Sequence, residues 1–268
     1  MTEQPLAPYQ VRAFNTAHDS ENKIHDDATA RRFGFSGGLV PGVDVYGYMS
    51  HLPVTRWGRA WLERGTAECR FFKPVYDGDI ATVTARESGG GIEISVESRG
   101  VLCASGRADL PDVPPQPAAL DSFRQVTQRP ERPPADEMSL ASDNWLGLDP
   151  YPVTAEMAAR YLADSQESAT IYRDEGVIHP RDILRSCNFV ISRNVVLGPW
   201  IHTGSRIRHL AAARVGDTLS VRAHVTANYE HKGHRFVDID ALVLANETAA
   251  VAQIAHTAIY RPRQLATA

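Results

Sequence analysis

The stretch FFKPVYDGDIATVTA, residues 71–85, contains an apolar run, a Gly-Asp turn and then a segment of alternating apolar and polar residues. The stretch HLAAARVGDTLSVRA, residues 209–223, has the same pattern in the second half of the chain. Because a pattern that recurs at a fixed distance is typical of a structural repeat, we expect two units of similar architecture.

The spacing that separates Gly78 from Gly216 also separates Gly42 from Pro180, and each of these last two residues begins an apolar segment with helical periodicity. The first helix is expected to stop before Pro53, because a proline ring removes a hydrogen-bond donor and clashes with the preceding turn. The second helix is expected to begin at Pro180, a residue suited to the first turn.

Apolar alternation and turn residues predict strands after each helix. The predicted strands are 66–76, 79–87, 91–99 and 101–109 in the first unit, and 201–213, 218–229, 234–245 and 249–260 in the second. One helix followed by a run of antiparallel strands predicts an α+β unit in which the sheet wraps around its helix. The open sheet edge of each unit favours pairing, either within the chain or between chains.

A proline-rich segment separates the two units. Seven prolines fall between residues 111 and 134, and proline cannot join the middle of a sheet, so this segment is expected to run extended over the surface. The predicted organisation is a first unit at 8–110, a linker at 111–142 and a second unit at 143–262.

Composition excludes several classes of protein. The 268 residues have a net charge of −4, which leaves no basic excess for binding nucleic acid. The sequence has no apolar run of membrane-spanning length and no secretory signal, so we expect a cytoplasmic protein without a membrane partner. Its three scattered cysteines favour reduced thiols. No phosphate loop or metal-ligand spacing is present, so neither a cofactor nor a metal is expected.

Three segments together resemble a known family: ENKIHDD (21–27), GFSGGLVPG (34–42) and FFKPVYDGD (71–79). They are similar to the motifs of the MaoC-like, R-specific enoyl-CoA hydratases of the hotdog fold, whose pattern is D-x-N-P-x-H, A-x-x-x-G-F, I-V-H-G and then LPV-x-x-GD. The second unit resembles a further hotdog, so the chain is similar to double-hotdog members in which two fused units mimic a homodimer.

The resemblance implies a hydro-lyase that adds or removes water across the double bond of an enoyl thioester, carried by CoA or by a carrier protein. The oligomeric state stays open, since a fused double unit can be complete alone or can pair again as a homodimer. Asn22 and His25 match the family's Asn and catalytic His, and Gly42 matches the glycine whose backbone N–H donates to the oxyanion. Ser20 stands where the family has its catalytic Asp, and Asp19 and Asp26 are the neighbouring candidates for the missing carboxylate.

The chemistry of these residues is coherent without the family. Hydration of an unsaturated thioester needs an acid–base group, and an imidazole titrates near neutral pH. The N-terminus of a helix offers N–H groups to a developing oxyanion. Gly37, Gly38 and Gly42 are expected to leave room for the close approach of a ligand.

Three other functions remain open from the sequence. A hotdog acyl-CoA thioesterase would use Asp26 or Glu21 to activate water at the thioester carbonyl. A non-catalytic acyl-thioester-binding protein would have lost the family Asp, and a site altered for another Michael-type addition or elimination would act on a different substrate. The second unit is expected to be structural, because residues 164–172 (DSQESATIY) contain no counterpart of N-x-x-H.

Overall fold

The computed structural model describes residues 6–265 of the chain. Its strands form one sheet of ten, in which neighbouring strands are antiparallel. The strands are β1 (Tyr9–Arg12), β2 (Thr66–Phe71), β3 (Ile80–Ser88), β4 (Gly91–Ser98), β5 (Val101–Asp109), β6 (Trp145–Pro152), β7 (Ile201–His209), β8 (Thr218–His231), β9 (His234–Ala245) and β10 (Ala249–Arg261). Their order across the sheet is β1-β3-β4-β5-β2-β7-β10-β9-β8-β6.

The two units meet in the middle of this sheet. Strand β2 of the first unit pairs with β7 of the second, with Thr66 opposite Arg208 and Arg70 opposite Gly204. The sheet edges that the sequence predicted therefore pair within the chain. All eight predicted strands are present, although β2 and β7 end earlier than expected. The edge strands β1 and β6 were not predicted, because each is short or interrupted by proline.

Six helices accompany the sheet among the residues described. They are α1 (Asp27–Arg32), α2 (Gly42–Trp57), α3 (Arg59–Arg64), α4 (Ala155–Asp164), α5 (Ile171–Asp174) and α6 (Pro180–Ser192). Helix α2 lies against β3, β4 and β5, whereas α6 lies against β6, β8, β9 and β10. The two long helices also contact each other, so the sheet wraps around a pair of central helices.

Helix α2 continues to Trp57, so the prediction that it stops before Pro53 was wrong. A proline inside a helix costs about 3 kcal/mol. The residues on either side of Pro53, Leu52 and Val54, are only 2% and 4% exposed. Burying each such side chain contributes about 1.5–3 kcal/mol. Packing against the sheet therefore outweighs the lost hydrogen bond.

Helix α6 begins at Pro180 as predicted. His179 caps it, and the ring Nδ1 accepts a hydrogen bond from the backbone N–H of Arg181 at 3.2 Å. This contact satisfies one of the free N–H groups at the start of the helix.

The proline-rich segment is anchored at two points. Phe123 is 4% exposed and packs with Leu242 and Leu244, and Leu140 is fully buried. The expectation that the segment 111–134 runs extended over the surface was therefore wrong at Phe123, because its apolar side chain packs against the second unit. In the described part of the chain, no helix is both long enough and apolar enough to cross a bilayer. The three cysteines are free thiols in the interior.

Candidate active site

A short 3₁₀ turn, Lys23–His25, carries the proposed catalytic histidine. The Asn22 side-chain oxygen caps this turn by accepting from the backbone N–H of Ile24. Ile24 is 1% exposed, so its burial fixes the turn to the core. The ring of His25 is consequently held in one orientation at the entrance to α2.

The hydrogen bonds of His25 define its protonation. Its Nδ1 lies 2.7 Å from the carbonyl oxygen of Leu39, and since a carbonyl can only accept, Nδ1 carries the proton. Its Nε2 lies 3.3 Å from Asn22 Nδ2, which donates to it. Burial lowers the pKa of His25 below its ordinary value, although the Leu39 hydrogen bond and the charge of Asp44 oppose this effect. The ring is therefore neutral near pH 7, with a lone pair on Nε2.

Asn22 connects the two units. Its Nδ2 donates to the carbonyl of Trp200 at 2.9 Å, and its Oδ1 accepts from the backbone N–H of Trp200 at 3.2 Å. Asn22 is 9% exposed. Because both ends of the amide bond to backbone groups, its orientation is fixed and the position of His25 depends on the second unit.

Both units line a cavity of about 330 Å³ that His25 borders. The first unit contributes Thr16, Ala17, Ser20, Glu21, Asn22, His25, Pro41 and Val43; the linker contributes Arg132; the second unit contributes Arg181, Arg185, Asn188, Phe189, Ser192, Arg193, Leu197 and Trp200. Five of the residues that the second unit contributes lie on one face of α6. The volume is at the small end of the range of about 300–1,000 Å³ found for ligand pockets.

The N-terminus of α2 adjoins this cavity. The N–H groups of Asp44 and Val45 donate to the carbonyl of Pro41. Within residues 6–265, the N–H groups of Gly42 and Val43 have no hydrogen-bond acceptor, as is usual at a helix start. Of these two residues, Val43 lines the cavity and Gly42 does not.

The glycines that lead into α2 lie close to other atoms of the protein. A Cβ on Gly38 would lie 2.2 Å from the carbonyl oxygen of His25, and one on Gly42 would lie 3.0 Å from His202 Nδ1. At Gly37 the nearest atom is a carboxylate oxygen of Asp27, at 3.2 Å. The expectation that these glycines leave space for a ligand is therefore corrected, because protein atoms fill that space.

The carboxylates expected beside His25 lie elsewhere. The Asp26 side chain is exposed and caps α1, accepting from the N–H of Thr29 at 2.9 Å. Asp19 is also exposed, and neither residue lines the cavity. Ser20 does line it, and its hydroxyl donates to the Asn22 carbonyl at 3.2 Å. Glu21 lines the cavity too, but it is paired with Arg132 at 2.8 Å.

A buried ion pair at the cavity wall was missed from the sequence. Asp44 Oδ1 lies 2.6 Å from Arg181 Nε, and Asp44 Oδ2 accepts from the Thr16 hydroxyl at 2.6 Å. Asp44 is completely buried, and Arg181 also binds Asp182. The only signal for this pair was a carboxylate within the apolar run of α2. Its partner lies in the other unit and could not be assigned without the fold.

A second polar cluster occupies the corresponding place in the other half. There, the start of α6 faces α2, and Glu167 lies between His51, at 2.8 Å, and His179, at 3.6 Å. Burial favours the neutral acid, but hydrogen bonds from both histidines bring the pKa of Glu167 well below its ordinary value. Tyr161 and Tyr172 pack on His179. Protein side chains thus fill this place.

No protein-family model matches the sequence, and no curated protein matches it either. Solved structures do resemble the chain. A Mycobacterium tuberculosis protein described as a double hotdog fold has a TM-score of 0.67 at 14% identity, over 96% of each chain. A protein described as a MaoC domain dehydratase, from Chloroflexus aurantiacus, has a TM-score of 0.61 at 12% identity, over 96% of this chain and 94% of that one.

A Thermobifida fusca protein described as a thioesterase II is also similar, with a TM-score of 0.52 at 15% identity over 84% of this chain and 88% of that chain. At such low identities the likeness shows the fold alone. With its ten-stranded sheet around two central helices, the chain is a double-hotdog protein of the α+β class, as the sequence indicated.

Proposed function

We propose that the protein is a MaoC-like hydratase or dehydratase that acts on the double bond of an enoyl thioester. The observation that carries this proposal is the unprotonated Nε2 of His25, which borders a cavity at the N-terminus of α2. Similarity to a protein described as a MaoC domain dehydratase agrees with it. The thioester would be presented by CoA or by a carrier protein.

In the proposed hydration, His25 Nε2 takes a proton from water while the oxygen adds to the β-carbon. The electron pair of the double bond moves towards the thioester carbonyl, whose oxygen becomes negative and accepts from the N–H groups of Gly42 and Val43. The imidazolium then delivers the same proton to the α-carbon. One group acts first as base and then as acid, so the mechanism needs no carboxylate at position 20.

Asn22 has a positioning role in this mechanism. It donates to His25 Nε2 and is held by two hydrogen bonds to Trp200. When Nε2 becomes protonated, this donation must give way, and the new N–H turns to the substrate or water.

The test is to incubate the protein with a panel of 2-enoyl-CoA esters and to follow enoyl absorbance and free thiol in parallel. We expect absorbance to fall without thiol release, and His25→Gln to lose at least about 10²-fold in rate, the lower bound for a general acid–base group. His18→Gln is the matched control, because His18 is an exposed histidine of the same loop outside the cavity lining.

Two outcomes contradict the proposal. Thiol release without hydration would instead support a thioesterase, the activity by which the Thermobifida fusca protein is described. Binding of the esters with neither signal would indicate an acyl-thioester-binding protein.

A further inference from the structure

One side of the cavity is a row of polar side chains from α6. Arg181, Arg185, Asn188 and Ser192 follow one another at helical spacing and all border the cavity. Arg181 is fully engaged, because Asp44, Asp182 and Thr16 all bind its guanidinium. The next turn of the same face carries Arg185, whose situation is different.

Arg185 is mostly buried, and within residues 6–265 no carboxylate forms an ion pair with it. In the described part of the chain it makes no hydrogen bond and no ion pair. Its guanidinium carbon lies 4.7 Å from the centre of the Phe189 ring. The carboxylates of Asp182 and Asp44 act on it electrostatically, but each is bonded to Arg181. Burial, together with the positive charge of Arg181, lowers the pKa of Arg185.

Burying a guanidinium without an anion is unfavourable, so this arrangement suits a site that an anion completes. A guanidinium presents a planar fork of donors that matches a carboxylate in two parallel hydrogen bonds. Within residues 6–265, Asn188 on the same face also makes no hydrogen bond, and its Oδ1 is buried without a partner. Its amide can reorient to donate to such an anion.

The rest of the lining mixes polar and apolar side chains. Among the described residues, Glu21 is the one carboxylate in the cavity wall, and it is paired with Arg132. The volume of about 330 Å³ leaves room for a short group. A long hydrocarbon chain would have to lie against Arg185 and Asn188, and these two side chains would remain without hydrogen-bond partners.

We propose that Arg185 and Asn188 bind a carboxylate at the far end of the acyl group, so that the natural substrate is a short dicarboxylic monothioester. This inference rests on the proposed function for the position of the thioester at His25. It assigns the substrate class that the resemblance left open.

The test measures binding of saturated esters, so that it does not depend on turnover. Succinyl-CoA carries the terminal carboxylate, and 4-methylpentanoyl-CoA carries an uncharged branched end of the same shape. By isothermal titration calorimetry, we expect the protein to bind succinyl-CoA at least about tenfold more tightly, since a charge-assisted hydrogen bond contributes about 1.5–3 kcal/mol. In Arg185→Gln, the ratio of the two dissociation constants should fall to about one.

Arg193→Gln is the matched control, because Arg193 is an exposed arginine at the cavity rim. It should leave the ratio unchanged whether or not Arg193 touches the CoA phosphates. Arg185→Lys, which keeps the charge without the planar fork, should keep part of the preference and guards against a folding defect in Arg185→Gln. Thermal unfolding of each variant checks that it is folded.

Equal affinities for the two esters in the unaltered protein would overturn the proposal. So would an Arg185→Gln variant that weakens both esters equally, because Arg185 would then bind a phosphate of CoA. Preference for succinyl-CoA without hydration of its unsaturated analogue would remove the proposed hydratase function and leave the carboxylate site intact. Hydration of neutral enoyl esters without a preference for succinyl-CoA would remove the carboxylate site and leave the proposed hydratase function intact.

Discussion

At the scale of single residues, the site depends on how His25 is held. Its Nδ1–H is bonded to a backbone carbonyl and its Nε2 is bonded to Asn22, so the ring has one tautomer and one orientation. The motif N-x-x-H identified these two residues from the sequence. The sequence could not show that Asn22 is itself held by Trp200, because that contact joins residues far apart in the chain.

The state of His25 predicts a pH profile. The proposed mechanism needs the neutral ring, and burial lowers the pKa of His25. We therefore expect activity to be lost as the pH falls through a value below the ordinary 6.5 or so of imidazole. The measurement is the rate of enoyl-CoA hydration at limiting substrate from pH 4.5 to about 8.5. A half-maximal pH above that of free imidazole would contradict the assignment, as would an unchanged acid limb in His25→Gln.

Gly38 offers a test of the loop geometry. In Gly38→Ala the new Cβ would meet the His25 carbonyl oxygen at 2.2 Å, which must displace the turn that carries the ring. Because small displacements of a catalytic group can cost about 10²-fold in rate, we expect a loss of that order. Gly198→Ala is the control, since its nearest atom would be an ordinary contact at 3.4 Å. Full activity in Gly38→Ala would mean that the loop position is unimportant.

At the scale of elements, α2 and α6 are joined by a buried ion pair. Periodicity and turn residues located both helices and most strands, since those signals are local. Pairing of Asp44 with Arg181 has no local signal, because each partner lies in a different unit. Pro53 misled the prediction for a related reason: the packing that keeps α2 intact comes from the sheet.

Removing one member of this pair should destabilise the protein strongly. Asp44→Ala leaves Arg181 buried with less compensation, and we expect about 3–5 kcal/mol loss in the free energy of unfolding. The double variant Asp44→Ala with Arg181→Met should lose much less than the sum of the two single losses. The free energies of unfolding of Asp44→Ala, Arg181→Met and the double variant are measured by urea unfolding.

The control for this cycle is Arg86→Ala, which breaks the surface pair of Arg86 with Glu93. It should change the free energy of unfolding by no more than about 1 kcal/mol. Additive effects of the Asp44 and Arg181 substitutions would show that the two side chains are not coupled.

At the scale of the whole molecule, the interior holds several histidines near the seam between the units. Burial lowers the pKa of His202 to about 3 and that of His209 to about 4. His256 stacks on His202, and burial lowers its pKa well below the ordinary value. Each of these rings must stay neutral in the folded protein, whereas it takes up a proton in the unfolded chain.

The protein should therefore lose stability in mild acid. Since the unfolded chain binds more protons than the folded one below about pH 6.5, each such histidine costs about 1.4 kcal/mol per pH unit there, until its own folded pKa is reached. Urea unfolding from pH 7 down to 4.5 should show this slope, and His209→Gln should make it shallower. His231→Gln, at a ring exposed to solvent, is the comparison. An equal slope in His209→Gln would contradict this account.

The cavity at α2 and the Glu167 cluster at α6 occupy matching places in the two halves of one polypeptide. In a homodimer encoded by one gene, every substitution appears in both copies, so neither copy can change its chemistry alone. When the two units are fused in one chain, a substitution in one unit leaves the other unit unchanged. One half can then fill its cleft with tyrosines and a hydrogen-bonded cluster of one glutamate and two histidines. A preparation saturated with ligand should therefore hold one equivalent of ligand for each chain.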